Sequence, residues 1–402
     1  MLILNRRRFL QVGSLAATSV MLPRFLKAME KEALVPPGNK VLVVIQLSGG
    51  NDGLNTVIPY RNDIYYRSRP SLGIEREAAL SLNDELGIHP ALKGLKGLYD
   101  EGALGILNNV GYPNPDRSHF RAMDIWHTAS EASEYRSDGW IGRYLDAQCR
   151  GCDKPTQALE IDDTLSLALK GVHTNGLAMT DPARLFSTSN DRYFNDLLQQ
   201  HATAGSATDH AADYLYKVMG DTMASAAYIR QQYKVRPSGA SYPNTDLGKH
   251  LRIIASLIAS DINTKVYYVS HGSFDTHTNQ QDQQQRLFQQ LGDAMTVFTD
   301  DLKQQQRFED VLIMTFSEFG RRVSQNASGG TDHGTANNVF LMGGGLKKPG
   351  LINEGPDLSD LREGDLQYKV DFKSVYATVL NKWLGADDHT ILGQRYDMLD
   401  FI

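Results

Sequence analysis

The stretch "KVLVVIQLSGGNDGLN", residues 40–55, decides the fold class. It begins as a run of branched apolar residues and ends in a loop in which two glycines precede Asn51 and Asp52. A run this rich in Val, Leu and Ile is typical of a strand buried on both faces, as in a parallel sheet. Ligands of parallel sheets bind beyond the carboxyl ends of the strands. Asp52 is therefore a candidate ligand-binding residue.

Four further runs have the same character and predict strands: "LGILNNVG" (104–111), "KVYYVS" (265–270), "DVLIMTFS" (310–317) and "NNVFLMGGG" (337–345). Between the runs, leucines and aromatic residues recur at helical spacing, as in residues 89–102 and 285–302. Strands that alternate with helices predict an α/β domain, with a mostly parallel central sheet flanked by helices on both faces.

The remaining segments fit around this sheet. Residues 150–260 are rich in Ala, Gln and Ser and predict a helical elaboration within a single domain spanning residues 38–402. The stretch "DFKSVYATVLNKWLG" (371–385) predicts an amphipathic helix that Asp371 caps and Gly385 ends. This last helix has a structural role.

The amino terminus is typical of a twin-arginine export signal, predicted to span residues 1–28. In "NRRRFLQVGSLAATSVMLPRFLKA" (5–28), three arginines precede a mildly apolar stretch that is too short and too polar to span a membrane. The alternative is a cytoplasmic amphipathic helix. Export through the twin-arginine machinery would place the folded protein in the periplasm or elsewhere outside the cytoplasm.

Composition and charge exclude several classes of protein. With 41% hydrophobic and 22% charged residues, the 402-residue chain is neither disordered nor collagen-like. Loss of residues 1–28 would remove five cations and change the formal charge from −6 to −11. A chain this acidic has no general attraction for nucleic acid or anionic membranes. Cys149 and Cys152 could form a small loop disulfide or remain free thiols.

Two loops carry residues suited to a metal site. In "SHGSFDTHTNQ" (270–280), Asp275 and His277 are two positions apart, so both point to the same side of an extended segment and could share one ion. In "ASGGTDHGTANN" (327–338), His333 follows Asp332 in a flexible loop. The alternatives are that His277 only binds a loop carboxylate, and that Asp332 only builds a turn.

Two other loops carry further candidates. "SEFGRR" (317–322) places Glu318 at the carboxyl edge of the sheet, with Arg321 close behind; the alternative for Glu318 is an ion pair with an arginine. In "YPNPDRSHFRAMDIWHT" (112–128), Ser118 lies near a helix amino terminus, where backbone N–H groups and the helix dipole favour an anion or alkoxide. The alternative for Ser118 is a helix cap.

These loops should converge, because all of them follow predicted strands whose carboxyl ends lie at one edge. Oxygen and imidazole groups in such a set are most compatible with zinc, manganese or a mixed pair. Carboxylates crowded without a cation would repel one another. We therefore expect one or two divalent metal ions. The residues expected at this edge are Asp52, Ser118, Asp275, His277, Glu318 and His333.

The order of the motifs resembles the family named domain of unknown function 1501. The motifs are "LSGGNDGLN", "RSHFRAMDIWH", "GWIGRYLD", "SFDTHTNQ", "TFSEFGRR", "GGTDHGTANNVFLMGG" and "DFKSVYATVLNKWLG". That family in turn resembles the alkaline phosphatase-like superfamily, which includes sulfatases and phosphodiesterases. The resemblance implies an alkaline phosphatase-like fold. It also implies Ser118 as nucleophile and, as metal ligands, Asp52, Asp275, His277, Glu318 and His333.

The sequence departs from the superfamily pattern at two points. Phe319 stands where a second histidine ligand is expected, so a second site would consist of oxygen groups such as Asp52 and Glu318. Oxygen ligands prefer manganese, magnesium or calcium to zinc. "SHFRA" after position 117 also lacks the sulfatase pattern Cys/Ser-x-Pro-x-Arg, which argues against a formylglycine sulfatase.

Two functional hypotheses follow. In the first, the protein is an exported metal-dependent hydrolase or transferase of anionic phosphate or sulfate esters, of small molecules or of glycan polymers. Ser118 would attack, His119 would activate it, and Arg121 or Arg321 would bind the anionic oxygens. In the second, a non-catalytic envelope protein keeps the scaffold and one structural metal and binds a polymer, glycan or partner. Phe319 and the tight Asp-x-His spacing favour the second hypothesis.

Overall fold

A nine-stranded sheet forms the centre of the chain in the computed structural model, which describes residues 39–148, 156–192, 196 and 210–402. The predicted export signal and both cysteines lie outside the described residues. The strands, in chain order, are β1 Val41–Leu47, β2 Val57–Ile58, β3 Leu80–Ser81, β4 Gly87–Ile88, β5 Leu104–Gly111, β6 Ala158–Glu160, β7 Leu177–Ala178, β8 Val266–His271, β9 Val311–Phe316, β10 Asn337–Met342, β11 Gly350–Leu351, β12 Leu361–Arg362, β13 Asp365–Leu366 and β14 Val370–Asp371.

The central sheet is mostly parallel. Its order is β11-β5-β10-β9-β1-β8-β6-β7, and β14 also pairs with β5. β1 lies between β8 and β9 and is parallel to both, so Val44 is opposite Tyr268 on one side and Met314 on the other. β10 alone is antiparallel to its neighbours. The prediction of an α/β fold with a mostly parallel sheet is confirmed.

Helices cover both faces of the sheet. They are α1 Gly53–Thr56, α2 Asp63–Ser68, α3 Lys93–Asp100, α4 His119–Thr128, α5 Trp140–Gln148, α6 Pro182–Ser189, α7 His210–Tyr233, α8 Asp246–Ala259, α9 Gln280–Gln304, α10 Phe372–Thr378 and α11 Asp388–Leu392. Side chains of β1 alternate between two cores. Val43 packs with α3, α8 and α9, whereas Leu42 packs with α4, α5 and α10.

The middle of the chain is not only helical. β6 and β7 extend the central sheet, with β6 parallel to both β7 and β8. Runs of two or three residues are too short for a strand pattern to be visible in the sequence, which explains why only helices were expected here. The helical expectation holds for α8, whose apolar face packs under β8.

The carboxyl-terminal helix begins and ends where its pattern predicts. Asp371 accepts a hydrogen bond from the N–H of Lys373, and Gly385 has a φ of 65°. Its second half, Val379–Trp383, is a π-helix. No helix within the described residues is both long and apolar enough to cross a bilayer.

The two glycines after β1 allow the loops at the sheet edge to touch. Gly49 and Gly50 have φ values of 118° and 78°, which residues with a side chain rarely adopt. A Cβ atom on Gly49 would lie 2.4 Å from the backbone nitrogen of Asp275, and one on Gly50 would lie 2.3 Å from the ring of Phe319. The loop after β1 therefore packs directly on the loops after β8 and β9.

Candidate metal centre

Four side chains meet at the carboxyl edge of the sheet and form what we call the histidine–aspartate cluster: His119, Asp275, His277 and His333. The Oδ1 atom of Asp275 lies 3.1 Å from Nε2 of His277 and 3.2 Å from Nε2 of His333. Those two Nε2 atoms are 3.0 Å apart. On the other side, Nε2 of His119 is 3.4 Å from Oδ2 of Asp275.

Each imidazole of the cluster is oriented through its other nitrogen. Nδ1 of His119 donates to Oε1 of Glu318 at 2.9 Å. Nδ1 of His277 donates to Asp332 at 3.1 Å, and Nδ1 of His333 donates to the carbonyl of Arg117 at 2.8 Å. Metal-binding histidines almost always hold their second nitrogen in this way. All three rings therefore present Nε2 to the cluster.

This orientation brings lone pairs together. A carbonyl can only accept, so His333 carries its proton on Nδ1 when neutral and has a bare lone pair on Nε2. The carboxylates beside His119 and His277 impose the same tautomer on those rings. Arg321 donates to Oδ1 of Asp275 at 2.8 Å, and its Nη1 lies 3.5 Å from Nε2 of His277. The lone pairs of His119 and His333 face the carboxylate without such a donor, and a proton or a metal ion would relieve their repulsion.

The distances suit a metal ion. Ligand atoms about 2.0–2.1 Å from a tetrahedral ion lie about 3.3 Å from one another. The three separations around Asp275 Oδ1 and the Nε2 atoms of His277 and His333 are 3.0–3.2 Å. The buried Nε2 atom of His119 also has no hydrogen-bond partner. The candidate ligand atoms of His119, Asp275 and His333 all lie within 4.8 Å of one another, whereas His277 contacts Asp275 and His333 but lies outside that group. Imidazole and carboxylate ligands of this kind suit zinc.

The protonation equilibria of the cluster reflect its surroundings. Burial raises the pKa of Asp275, but the hydrogen bond from Arg321 and the contact with His333 outweigh it and lower the pKa to about 2. The hydrogen bond to Glu318 raises the pKa of His119 above its ordinary value. Burial lowers the pKa of His333. Asp275 is therefore a permanent anion at neutral pH, as a metal ligand must be.

Arg321 is buried beneath the cluster and joins its loops. One of its nitrogens donates to Oδ1 of Asp275 at 2.8 Å. The guanidinium also donates to four backbone carbonyls, those of Gly49, Gly50, Phe274 and Thr331. With these donors occupied and the side chain fully buried, Arg321 positions Asp275 and has no guanidinium face left for the substrate contact expected from the sequence.

The structure does not bring Asp52 into the cluster. Its carboxylate is fully buried and pairs with Arg69, with 2.5 Å between Oδ2 and Nη1. Gln280 donates to the same oxygen at 2.5 Å, and Oδ1 accepts from the N–H of Leu54 at the start of α1. The oxygens expected to hold an ion are thus bound to protein donors, and Asp52 caps a helix and forms a buried ion pair.

Glu318 lies beside the cluster without facing its centre. Its Oε1 accepts from His119 and also from the N–H of Gly49, at 2.8 Å. Phe319 is buried, and its ring centroid lies 4.9 Å from that of His119 and 4.6 Å from that of His333. Glu318 therefore orients His119, while Phe319 forms an apolar wall.

Ser118 is exposed beside the cluster, whereas Arg121 is buried away from solvent. Ser118 is the exposed residue before α4, and its hydroxyl makes no capping hydrogen bond, so it is free beside His119. Arg121 is buried and donates to the carbonyls of Glu131 and Ala132. Its guanidinium also lies 3.9 Å from the ring centroid of Tyr135. Arg121 therefore supports the loop after α4, where an anion-binding role was expected.

Sequence reasoning missed several roles. His119 was expected to be a base, whereas it presents Nε2 to the cluster as a ligand would. Asp332 and the carbonyl of Arg117 orient two of the imidazoles. The Asp332-His333 neighbours were the available signal for Asp332, because a carboxylate next to a ligand histidine often orients another ligand. No signal in the sequence points to a backbone carbonyl.

The role of Glu318 gives a first testable prediction. Glu318→Gln keeps the shape of the side chain but removes the negative charge that makes His119 a better ligand. We expect divalent metal affinity to fall by about 10- to 100-fold with the fold retained, measured by competition with a chromogenic chelator. Glu309→Gln, at a different position of the chain, is the matched control. Unchanged affinity in Glu318→Gln would show that His119 is not a ligand.

The family model described as "Protein of unknown function (DUF1501)" matches residues 102–397 of the chain. The chain belongs to this family. The match covers α4 and the loops that carry Asp275, His277 and His333. Among curated proteins, no significant match to this DUF1501 member exists.

Solved structures similar to this DUF1501 protein share little sequence with it. A protein in the alkaline phosphatase superfamily from Vibrio parahaemolyticus is 10% identical, with a TM-score of 0.40 over 89% of this chain and 69% of that one. PsFucS1 sulfatase from Pseudoalteromonas sp. is 10% identical, with a TM-score of 0.41 over 94% and 72%. Phosphonate monoester hydrolase from Silicibacter pomeroyi is 11% identical, with a TM-score of 0.38 over 89% and 77%. Similarity at this level of sequence identity concerns the backbone fold alone.

Proposed function

We propose that this protein is a metal-dependent hydrolase or transferase of phosphate or sulfate esters, with its metal site at His119, Asp275, His277 and His333. The convergence of three Nε2 lone pairs on Asp275, each ring being held through Nδ1, is the observation that supports the proposal most strongly. It supports a bound divalent ion. A site made of imidazoles and a carboxylate is best suited to zinc.

The exposure of the cluster supports a catalytic site over a purely structural one. Structural zinc sites are closed, whereas catalytic ones keep a position open to water or substrate. The side chains of Asp275 and His277 are 48% and 40% exposed. A substrate oxygen can therefore approach from solvent. When bound, a divalent ion at this position would act as a Lewis acid toward an anionic ester.

Ser118 is the proposed nucleophile. It precedes His119 directly, its hydroxyl is exposed, and it lies at the amino terminus of α4, where the helix dipole favours negative charge. Its oxygen would attack the phosphorus or sulfur atom and release its proton to solvent. The bond from that atom to the alcohol oxygen would break, and the alcohol would leave with a proton. Water would then hydrolyse the seryl ester, or an acceptor alcohol would take the group in a transfer reaction.

Location outside the cytoplasm is part of the proposal. Its support is the arginine-rich pattern of residues 1–28 and the acidic remainder of the chain. The same pattern supports export through the twin-arginine machinery with the metal already bound. Fractionation of cells that produce the full chain tests this point.

The alternative is a non-catalytic binding protein with one structural metal. Its specific support is the way in which the second metal site is lost. Asp52 is bound by Arg69, Glu318 by His119, and Phe319 supplies no ligand atom. Superfamily-like chemistry that needs two ions would then have no place for the second one.

Turnover in Ser118→Ala decides between the two. We expect the wild type to hydrolyse at least one of a panel of aryl phosphate monoesters, diesters and sulfates. Ser118→Ala should lose at least 100-fold in kcat while retaining its metal, because covalent catalysis needs the hydroxyl. Ser133→Ala, at an exposed serine outside the cluster, is the control. A metal-loaded wild type with no turnover on the whole panel would favour the binding protein.

A further inference from the structure

A cavity of about 520 Å³ adjoins the histidine–aspartate cluster. Two of its lining residues touch the cluster directly. The carbonyl of Arg117 accepts the hydrogen bond from His333, and the ring of Phe319 packs against both His119 and His333. Cavities of this size are typical of small-molecule sites. A molecule whose reacting group lies at the cluster can therefore place its remaining part in this cavity.

The outer wall of the cavity is a rigid hairpin. β12 and β13 are joined by Glu363 and Gly364, whose φ values of 55° and 84° are those of a tight type I′ turn. Asp365, only 1% exposed, is paired with Arg117 and with Arg322, the latter at 3.3 Å. These ion pairs attach the hairpin to the loops of the cluster. The cavity is therefore a formed part of the site.

The aromatic residues of the cavity offer edges and one free face. Trp126 is stacked between Phe316 and Phe372, with centroids 5.0 and 4.2 Å away, so neither face of its indole is free. Its buried Nε1 nevertheless has no hydrogen-bond partner. Tyr368, in contrast, is 37% exposed and leaves ring surface available. A ligand in the cavity thus meets the hydroxyphenyl ring of Tyr368, while the indole nitrogen of Trp126 lies out of its reach.

One cation of the cavity is uncommitted. The guanidinium of Arg362 forms no ion pair or hydrogen bond with any residue that the structure describes, whereas Arg117 is neutralised by Asp365 and Glu363. Gln367 and Asn114 add amide groups that both donate and accept. The polar part of the cavity therefore offers both hydrogen-bond donors and acceptors. It has no strong excess of positive or negative charge.

We propose that this cavity binds a sugar ring, so that the esters processed at the cluster are phosphate or sulfate esters of a carbohydrate. This inference rests on the proposed function for the position of the ester. A sugar has apolar C–H faces that can pack on Tyr368. Its neighbouring hydroxyls both donate and accept, which suits Arg362 and the amides of Asn114 and Gln367.

Other ligand classes fit the cavity less well. A nucleobase is held best between two aromatic faces, and those of Trp126 are covered by Phe316 and Phe372, which leaves the ring of Tyr368 alone. A fatty acyl chain would cover the amides of Asn114 and Gln367 without giving them partners, which costs free energy. A sugar ring can bind these amides and still pack on the ring of Tyr368.

Binding measured without turnover tests the inference. Saturation-transfer NMR on the full chain would use a panel of common hexoses, N-acetylhexosamines and uronic acids. We expect binding by the wild type, loss of the signal in Arg362→Ala and Tyr368→Ala, and retention in Arg395→Ala, an exposed arginine outside the cavity. With turnover established, Arg362→Ala should raise KM roughly tenfold for a sugar ester, as expected for a lost charged hydrogen bond. Arg395→Ala should leave both KM for the sugar ester and kcat for a simple aryl ester unchanged.

The outcomes separate this inference from the proposed function. Sugar binding that depends on Arg362 and Tyr368, without hydrolysis of any ester, would support the carbohydrate site and contradict the hydrolase. Hydrolysis of aryl esters without binding of any sugar in the panel would overturn the carbohydrate site and leave the hydrolase standing. Sugar binding that survives both substitutions would also overturn it, because the sugar would then lie elsewhere.

Discussion

His333→Ala should remove the bound metal ion and reduce ester turnover to background. His333 contributes one of the three Nε2 atoms around Asp275, and its removal leaves an ion with too few ligands. Loss of a residue that only orients a ligand typically costs 10- to 100-fold in metal affinity or activity. Loss of the ligand itself should therefore cost more than about 100-fold. Asp275→Ala combined with His333→Ala should leave no detectable ion.

Elemental analysis of purified protein measures this effect directly. Wild type and His333→Ala would be produced with their metal loaded during folding and compared by mass spectrometry of the metals, alongside turnover. His173→Ala is the matched control, because His173 is exposed and lies outside the cluster. A stoichiometric ion that persists in the double variant would place the metal elsewhere. A wild type that takes up no divalent ion would contradict the hydrolase as proposed.

Arg69→Ala should cause the largest loss of stability. Arg69 and Asp52 are both fully buried, and removal of one partner leaves the other as an uncompensated buried charge. Such changes cost about 3–5 kcal/mol in the free energy of unfolding. Arg69 also donates to the carbonyls of Val323 and Arg322, so the loop after β9 loses support as well. Urea denaturation followed by circular dichroism measures the loss.

Asp52→Asn then distinguishes an ion pair from a metal ligand. If Asp52 acts through Arg69, the variant should lose stability and keep its full metal content, because the cluster is intact. Lys96→Ala is the control for stability, since it removes an exposed ion pair with Asp100 that is worth at most about 1 kcal/mol. Loss of one metal equivalent in Asp52→Asn would restore Asp52 as a ligand of a second ion.

The strands and their edge could be predicted from the sequence because each long strand is a continuous apolar run. The same logic predicted Asp275, His277 and His333 near one another, since their loops follow β8 and β9, the two strands that flank β1. The antiparallel direction of β10 was not visible, yet it keeps the loop that carries His333 at the same edge, because that loop starts at the end of β9 and leads into the start of β10.

The partners of buried charges could not be predicted. Asp52 faces Arg69 only because α2 folds back over the loop after β1, and nothing in the local pattern of residues 63–69 reports that contact. The same limit applies to Glu318 and His119, which are 199 positions apart in the chain. A carboxylate that binds an ion and one that orients a histidine look identical in a sequence. Only the direction of the imidazole nitrogens separates them.

Arg321 holds the loops of the site together without a metal ion. Its guanidinium joins the loops after β1, β8 and β9 through backbone carbonyls, so these loops are held together by the protein itself. The cation that closes the gap between the loops is thus already covalently part of the chain. We expect a site built in this way to lose and regain its ion without unfolding of the protein, so that chelation would be reversible.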